Sequence, residues 1–237
     1  MNAVYTDSPS WRRFQAKVRN ESGELMLDTR GYRWIKDERY DAVTIAIAEG
    51  VSEDAVIRTY GGDPGSSNLA TFDQSIGMVN GDDDFHLQTL TAGGLVVAIE
   101  NNGWTGAVAE IARRATADGG RWLSVYWNGA IVNFTVIYAV NGTIEGWYND
   151  RSCGQGKKPA STPEWDEGVS SQEGWSIAPS LALMEHLMGV KIMEEWFTTP
   201  QRTTRIPDVD SLLPQVVLGK NISGGDIIQS DPAAWTP

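Results

Sequence analysis

Between Arg121 and Tyr148 the chain reads RWLSVYWNGAIVNFTVIYAVNGTIEGWY, three runs of β-branched and aromatic residues broken at Asn128-Gly129 and Asn141-Gly142. Asn-Gly supplies the positive φ of a tight hairpin turn, and strands joined by such turns run antiparallel. Parallel strands need a long crossover, so this segment argues against a nucleotide-binding parallel sheet. A second hairpin precedes it: DFHLQTLTAGGLVVAIE turns at Gly93-Gly94, with Phe85, Leu87 and Thr89 on one side. Further upstream, Val43, Ile45 and Ile47 alternate with small residues, the period-two pattern of a half-buried strand. The expectation is an α+β fold, an antiparallel meander packed by about three helices.

Those helices are legible from their ends. In VSEDAVIRTYGG, Ser52 is an N-cap, Glu53 and Asp54 suit the positive end of the helix dipole, and Gly61 is the stop. Another helix runs from Pro179 to about Met188, with Gly189 as its stop and Leu183, Met184, Leu187 and Met188 as its apolar stripe, and EEWF forms a short one after it. The third follows the turn in IENNGWTGAVAEIARRA, where Val108, Ile111, Ala112 and Ala115 share one face and Arg113 reads as a surface residue. That turn raises the question of a phosphate cradle. Its G-W-T-G spacing matches no phosphate-loop pattern, this stretch holds no Lys or Arg before Arg113, and Glu100 has the wrong sign. The structural reading is preferred, with Trp104 covering the packing.

Three segments carry a family resemblance. ENNGWTGAVAEIARRATADGGRWLSVYWN, TIAIAEGVSEDAVIRTYGG and APSLALMEHLMGVKIMEEWF, taken together, resemble an uncharacterised actinobacterial family that is a domain of unknown function. The resemblance spans about residues 32–199. It implies a fold and an actinobacterial or actinophage origin, and brings no activity and no catalytic residue. Residues 1–31 then read as an N-terminal extension, 32–199 as the α+β domain and 200–237 as an apolar, extended tail. Between Ile206 and Ile228 the tail carries ten large aliphatic residues, too apolar for a disordered linker. It is expected to dock partly on its own domain and partly on a neighbouring chain, so that truncation after Thr199 leaves a folded core with weaker association.

The formal net charge of −12 and the lack of any Lys/Arg run argue against binding nucleic acid. The first residues, MNAVYTDSPSWRRF, lack the apolar stretch of a signal peptide, and no apolar run is long enough for a bilayer. A cytoplasmic protein without membrane contact is expected, or a virion component if the gene is a phage's.

Chemistry-bearing residues are few. His86 and His186 are the only histidines, and neither sits in a nucleophile motif. Cys153, the only cysteine, lies near Arg151, Lys157 and Lys158, which would lower its pKa. The Asp82–Asp84 run lacks the alternation of a calcium loop and reads as a solvated turn. No catalytic, cofactor or metal site is assigned. Ten tryptophans are many for this length: Trp122, Trp127 and Trp196 read as core, whereas Trp165, Trp175 and Trp235 fall in loops or tail. With Leu212, Leu213, Val217 and Ile227, these three are the candidate partner contacts. The function expected is a non-catalytic protein-binding or self-assembly module without cofactor; the alternative is a small hydrolase using carboxylates or Cys153.

Overall fold

Strand β1 (Ala42–Glu49) lies in the middle of the molecule, and its residues 43–48 are all buried. The computed structural model describes residues 28–36, 38–78, 85–130, 133–150 and 177–212. Besides β1 it contains β2 (Asn68–Ala70), β3 (Phe85–Ala92), β4 (Leu95–Asn101), β5 (Arg121–Asn128), β6 (Asn133–Val140), β7 (Thr143–Asp150) and β8 (Gln201–Ile206). These form one antiparallel sheet in the order β2-β8-β3-β4-β1-β5-β6-β7. Helices α1 (Glu53–Thr59), α2 (Phe72–Gly77), α3 (Ala109–Ala115), α4 (Ile177–Met188), α5 (Glu195–Thr198) and α6 (Val209–Leu212) complete the described α+β fold, with short 3-10 turns between them.

Two of the three expected turns hold their geometry; Asn128-Gly129 does not, since neither residue has a positive φ and Asn128 is still in β5, opposite Asn133. Gly93 and Gly94 have φ of 58° and 79°, and Asn141 and Gly142 of 49° and 75°, as a two-residue hairpin turn requires. Ser52 Oγ accepts from the Ala55 N–H at 3.2 Å, and Gly61 ends the helical run at φ 78°. The meander is interrupted, however. β1 inserts between β4 and β5, and β8 returns to pair with β3 and β2.

Each strand sends alternate residues to two layers. Val43, Ile45 and Ile47 join Val97, Ile99, Leu123, Val125 and the α4 residues Leu181, Leu183 and Met184 on one face. Ala46 and Ala48 join Ala98, Trp122, Val56, Ile57, Ile111 and Ala112 on the other. β1 is therefore buried on both sides, where its alternation predicts half-burial. Small side chains on the second face leave room for α1, α3 and the Glu100 turn to press onto the sheet.

Two further expectations are corrected. The chain after Thr199 is not all tail: β8 is a sheet strand, and Ile206 and Val209 are buried in the second layer. Arg113 is half-buried; burial raises the pKa of the neighbouring Glu110, and the Arg114 hydrogen bond and charge, with a smaller part from the Arg113 charge, oppose that rise. Residues 213–237 and 1–27 lie outside the described residues.

Candidate functional site

The turn after β4 does cradle an anion, and the anion is the chain's own. On β4 the alternation that buries Val96 and Ala98 continues to Glu100, which is 1% exposed. Asn102 bends the chain with φ of 56°, and its N–H donates to the Ala42 carbonyl at 2.9 Å. Thr44 Oγ1 donates to the Gly103 carbonyl at 2.7 Å, fixing the turn to β1. The Thr105 and Gly106 N–H groups open a 3-10 turn and donate to the two Glu100 carboxylate oxygens, at 2.8 and 2.7 Å. These are the donors a phosphate would need, and Glu100 occupies them.

Burial pushes the Glu100 carboxyl up to about 7, against the opposing pull of the Gly106 and Thr105 donors. Tyr60, which caps α1, lies wholly buried beside it. Burial, reinforced by the Glu100 charge, holds its phenol well above the ordinary tyrosine range. A β-carbon built on Gly106 would collide with the Tyr60 hydroxyl and lie 3.1 Å from Glu100 Oε1, so only glycine fits there.

The open surface offers a different place. A cleft of about 570 Å³ is lined by Gly61, Asp63, Ser66, Asn68, Met78, His86, Thr203, Arg205, Ile206 and Pro207. It gathers Asp, Ser and His side chains, yet two of them are committed to the backbone. Asp63 Oδ1 accepts from the Gly65 N–H at 2.9 Å, and Ser66 Oγ donates to the Asp63 carbonyl at 2.8 Å. They cap the 3-10 turn at Pro64–Ser66. His86 itself is buried on β3, paired across the sheet with Arg205.

His186 is exposed on α4, away from that cleft's lining. Leu212, on α6, packs against the second layer, and a β-carbon on Gly61 would come within 2.8 Å of its Cδ1. It is thus an intramolecular contact as well as a partner candidate. Trp165, Trp175, Trp235, Leu213, Val217, Ile227, Cys153 and Asp82–Asp84 lie outside the described residues. Trp122 and Trp127 are buried, and Trp196 packs against the first layer, as their settings predict. Among the described residues no group of three His, Cys, Asp or Glu converges as metal ligands, and no helix is long and apolar enough to cross a membrane.

Sequence reasoning misses Leu69. It sits in β2, the three-residue strand at one end of the sheet, and is 75% exposed. Ile76 on α2 and Met193 before α5 are also exposed, at 54% and 40%. Leu69 lies among Ser, Asn and Gly residues, so no periodic pattern marks it. Compared with known proteins, the chain matches no family model, no curated protein and no solved structure.

Proposed function

We propose that this chain is a non-catalytic protein-binding or assembly module, of the actinobacterial or actinophage origin that its motifs suggest, serving in the phage case in the virion. The observation that carries the reading is the sheet end at β2, which pairs with no second strand among the described residues. A terminal strand presents backbone donors and acceptors on its outer side, and proteins ordinarily blunt such an edge by shortness, as β2 partly does with three residues, or with charge, proline or a cover. Here the middle residue of the edge strand is an exposed leucine. Strand addition by a partner would satisfy the backbone and bury Leu69 together. The hydrolase reading gains nothing from the cleft, because Ser66 and Asp63 are spent on capping a turn.

The test compares the full chain with Leu69→Arg by sedimentation, and by affinity capture from an actinobacterial lysate with mass spectrometry. Self-association, or a stoichiometric protein partner, that is lost in the variant at unchanged melting temperature supports the module. Identical association of both proteins removes the β2 edge from the proposal. A co-purifying small metabolite that the chain turns over would favour the enzyme.

A further inference from the structure

Glu100 and Tyr60 are placed close together without touching as hydrogen-bond partners. The Tyr60 hydroxyl lies against the position of a Gly106 β-carbon, and Glu100 Oε1 is 3.1 Å from that same point. Tyr60 Oη is nevertheless a buried polar atom with no hydrogen-bond partner, and so are Trp122 Nε1 and Ser124 Oγ. All belong to the same side of the sheet. β1 sets Ala46 opposite both Ala98 and Ser124, and Ala48 opposite Trp122. The Tyr60 and Trp122 rings are 6.0 Å apart. A buried hydroxyl left unpaired costs about 1–3 kcal/mol, and native interiors satisfy such groups with protein or with ordered water. Two oxygens near one point that make no direct hydrogen bond can be joined by one water.

We propose that Glu100 and Tyr60 form a buried proton-binding site, joined through an internal water, beneath the turn that follows β4. In the ionised state the Thr105 and Gly106 N–H groups hold the carboxylate, and the water donates to Oε1 while accepting the Tyr60 hydroxyl. On acidification a proton from solvent comes to rest on Oε1, which then donates to the water. The surroundings leave the equilibrium to burial. Tyr60 faces the carboxylate from the end of α1, Thr44 from β1, Leu87 from β3, Tyr126 from β5, and Thr105 and Gly106 from the turn. On α3, Glu110 and Arg114 pair with each other at 2.8 Å. Only Thr105 and Gly106 oppose the burial that raises the Glu100 pKa, and no charged side chain contributes to it.

The experiment is infrared difference spectroscopy of the full chain from about pH 5 to about pH 9, spanning the neutral range well above an ordinary glutamate, with a high-resolution crystal structure. The expected result is a protonated-carboxyl band that titrates near 7, is absent in Glu100→Gln and is displaced in Tyr60→Phe. The crystal should show an ordered water within hydrogen-bond reach of both Glu100 Oε1 and Tyr60 Oη. A band that titrates in the ordinary carboxylate range, or one that Tyr60→Phe leaves in place, overturns the proposal. So does a direct Tyr60–Glu100 bond. If Glu100→Gln does not fold, the Tyr60→Phe spectrum and the crystal structure still decide.

Discussion

Glu100 is expected to couple the stability of this protein to pH. The Glu100 carboxyl rises from 4.5 to about 7 on folding, chiefly through burial. Its folded pKa is above its unfolded one, so the contribution is fully present below the unfolded value and is lost as pH rises through the folded value. That loss falls between 4.5 and about 7 and amounts to about 3 kcal/mol at one pKa unit per 1.4 kcal/mol. Glu100→Gln cannot ionise. Urea midpoints measured across this range should therefore fall with rising pH in the wild type relative to Glu100→Gln, and parallel curves would show that Glu100 does not carry the effect. Gly106 gives a second prediction at this scale. Gly106→Ala would drive a methyl group into the Tyr60 hydroxyl and against Glu100 Oε1 and Thr44 Cγ2, overpacking worth about 1–3 kcal/mol. Tyr60→Phe removes the worst of those contacts. In the double variant the Gly106→Ala penalty should shrink by about 0.5 kcal/mol or more, the range of coupling between touching residues. Strict additivity would place the Tyr60 hydroxyl elsewhere.

Helix α3 is where sequence and structure can be weighed element by element. Val108, Ile111, Ala112 and Ala115 are all buried in the second layer, as their spacing predicts. Ile111→Ala should cost about 2–5 kcal/mol by thermal or urea unfolding; an effect below about 1 kcal/mol, typical of surface positions, would put the helix face wrong. Elements with strong local signals were legible: the hairpins from their Asn-Gly and Gly-Gly turns, α1 from Ser52 and Gly61. The strand order was not, because insertion of β1 between β4 and β5 is a long-range pairing that no turn residue encodes. β8 escaped for another reason. Its Thr203 and Thr204 are buried, but their hydroxyls are paired, Thr203 Oγ1 with Gln88 Nε2 at 3.2 Å and Thr204 Oγ1 with Ser67 Oγ at 2.7 Å. Satisfied polar residues inside a sheet look like a loop in the sequence. Glu100 is hidden in the same way: its sign is legible in the sequence, whereas its burial depends on a turn folding back over it.

At the scale of the whole molecule, the decisive question is where the domain ends. β8 binds the far side of the sheet together, pairing with β3 along one edge and β2 along the other. From it, Arg202 reaches Asp54 Oδ1 at 2.7 Å, the Pro64 carbonyl at 2.9 Å and Ser67 Oγ at 3.1 Å, tying α1 and the following 3-10 turn to the strand. Ile206 and Val209 add buried apolar surface beyond it. Truncation after Thr199 would strip all of this, leaving β3 with an unpaired edge beside an exposed core, a setting that favours aggregation. The expected core-preserving cut at Thr199 is therefore replaced by one after Leu212. That shorter deletion keeps every described element and removes a segment that still contains Leu213, Val216, Val217, Leu218, Ile222, Ile227 and Ile228. Chain 1–199 should be insoluble or lack a cooperative melting transition, whereas chain 1–212 should melt cooperatively. If the last 25 residues serve assembly, chain 1–212 should also sediment as a smaller species than the full chain, or lose its partner. A cooperative melt for chain 1–199 would show that β8 is dispensable to the fold. Unchanged association of chain 1–212 would confine the binding surface to residues 1–212, with β2 the first edge to disrupt.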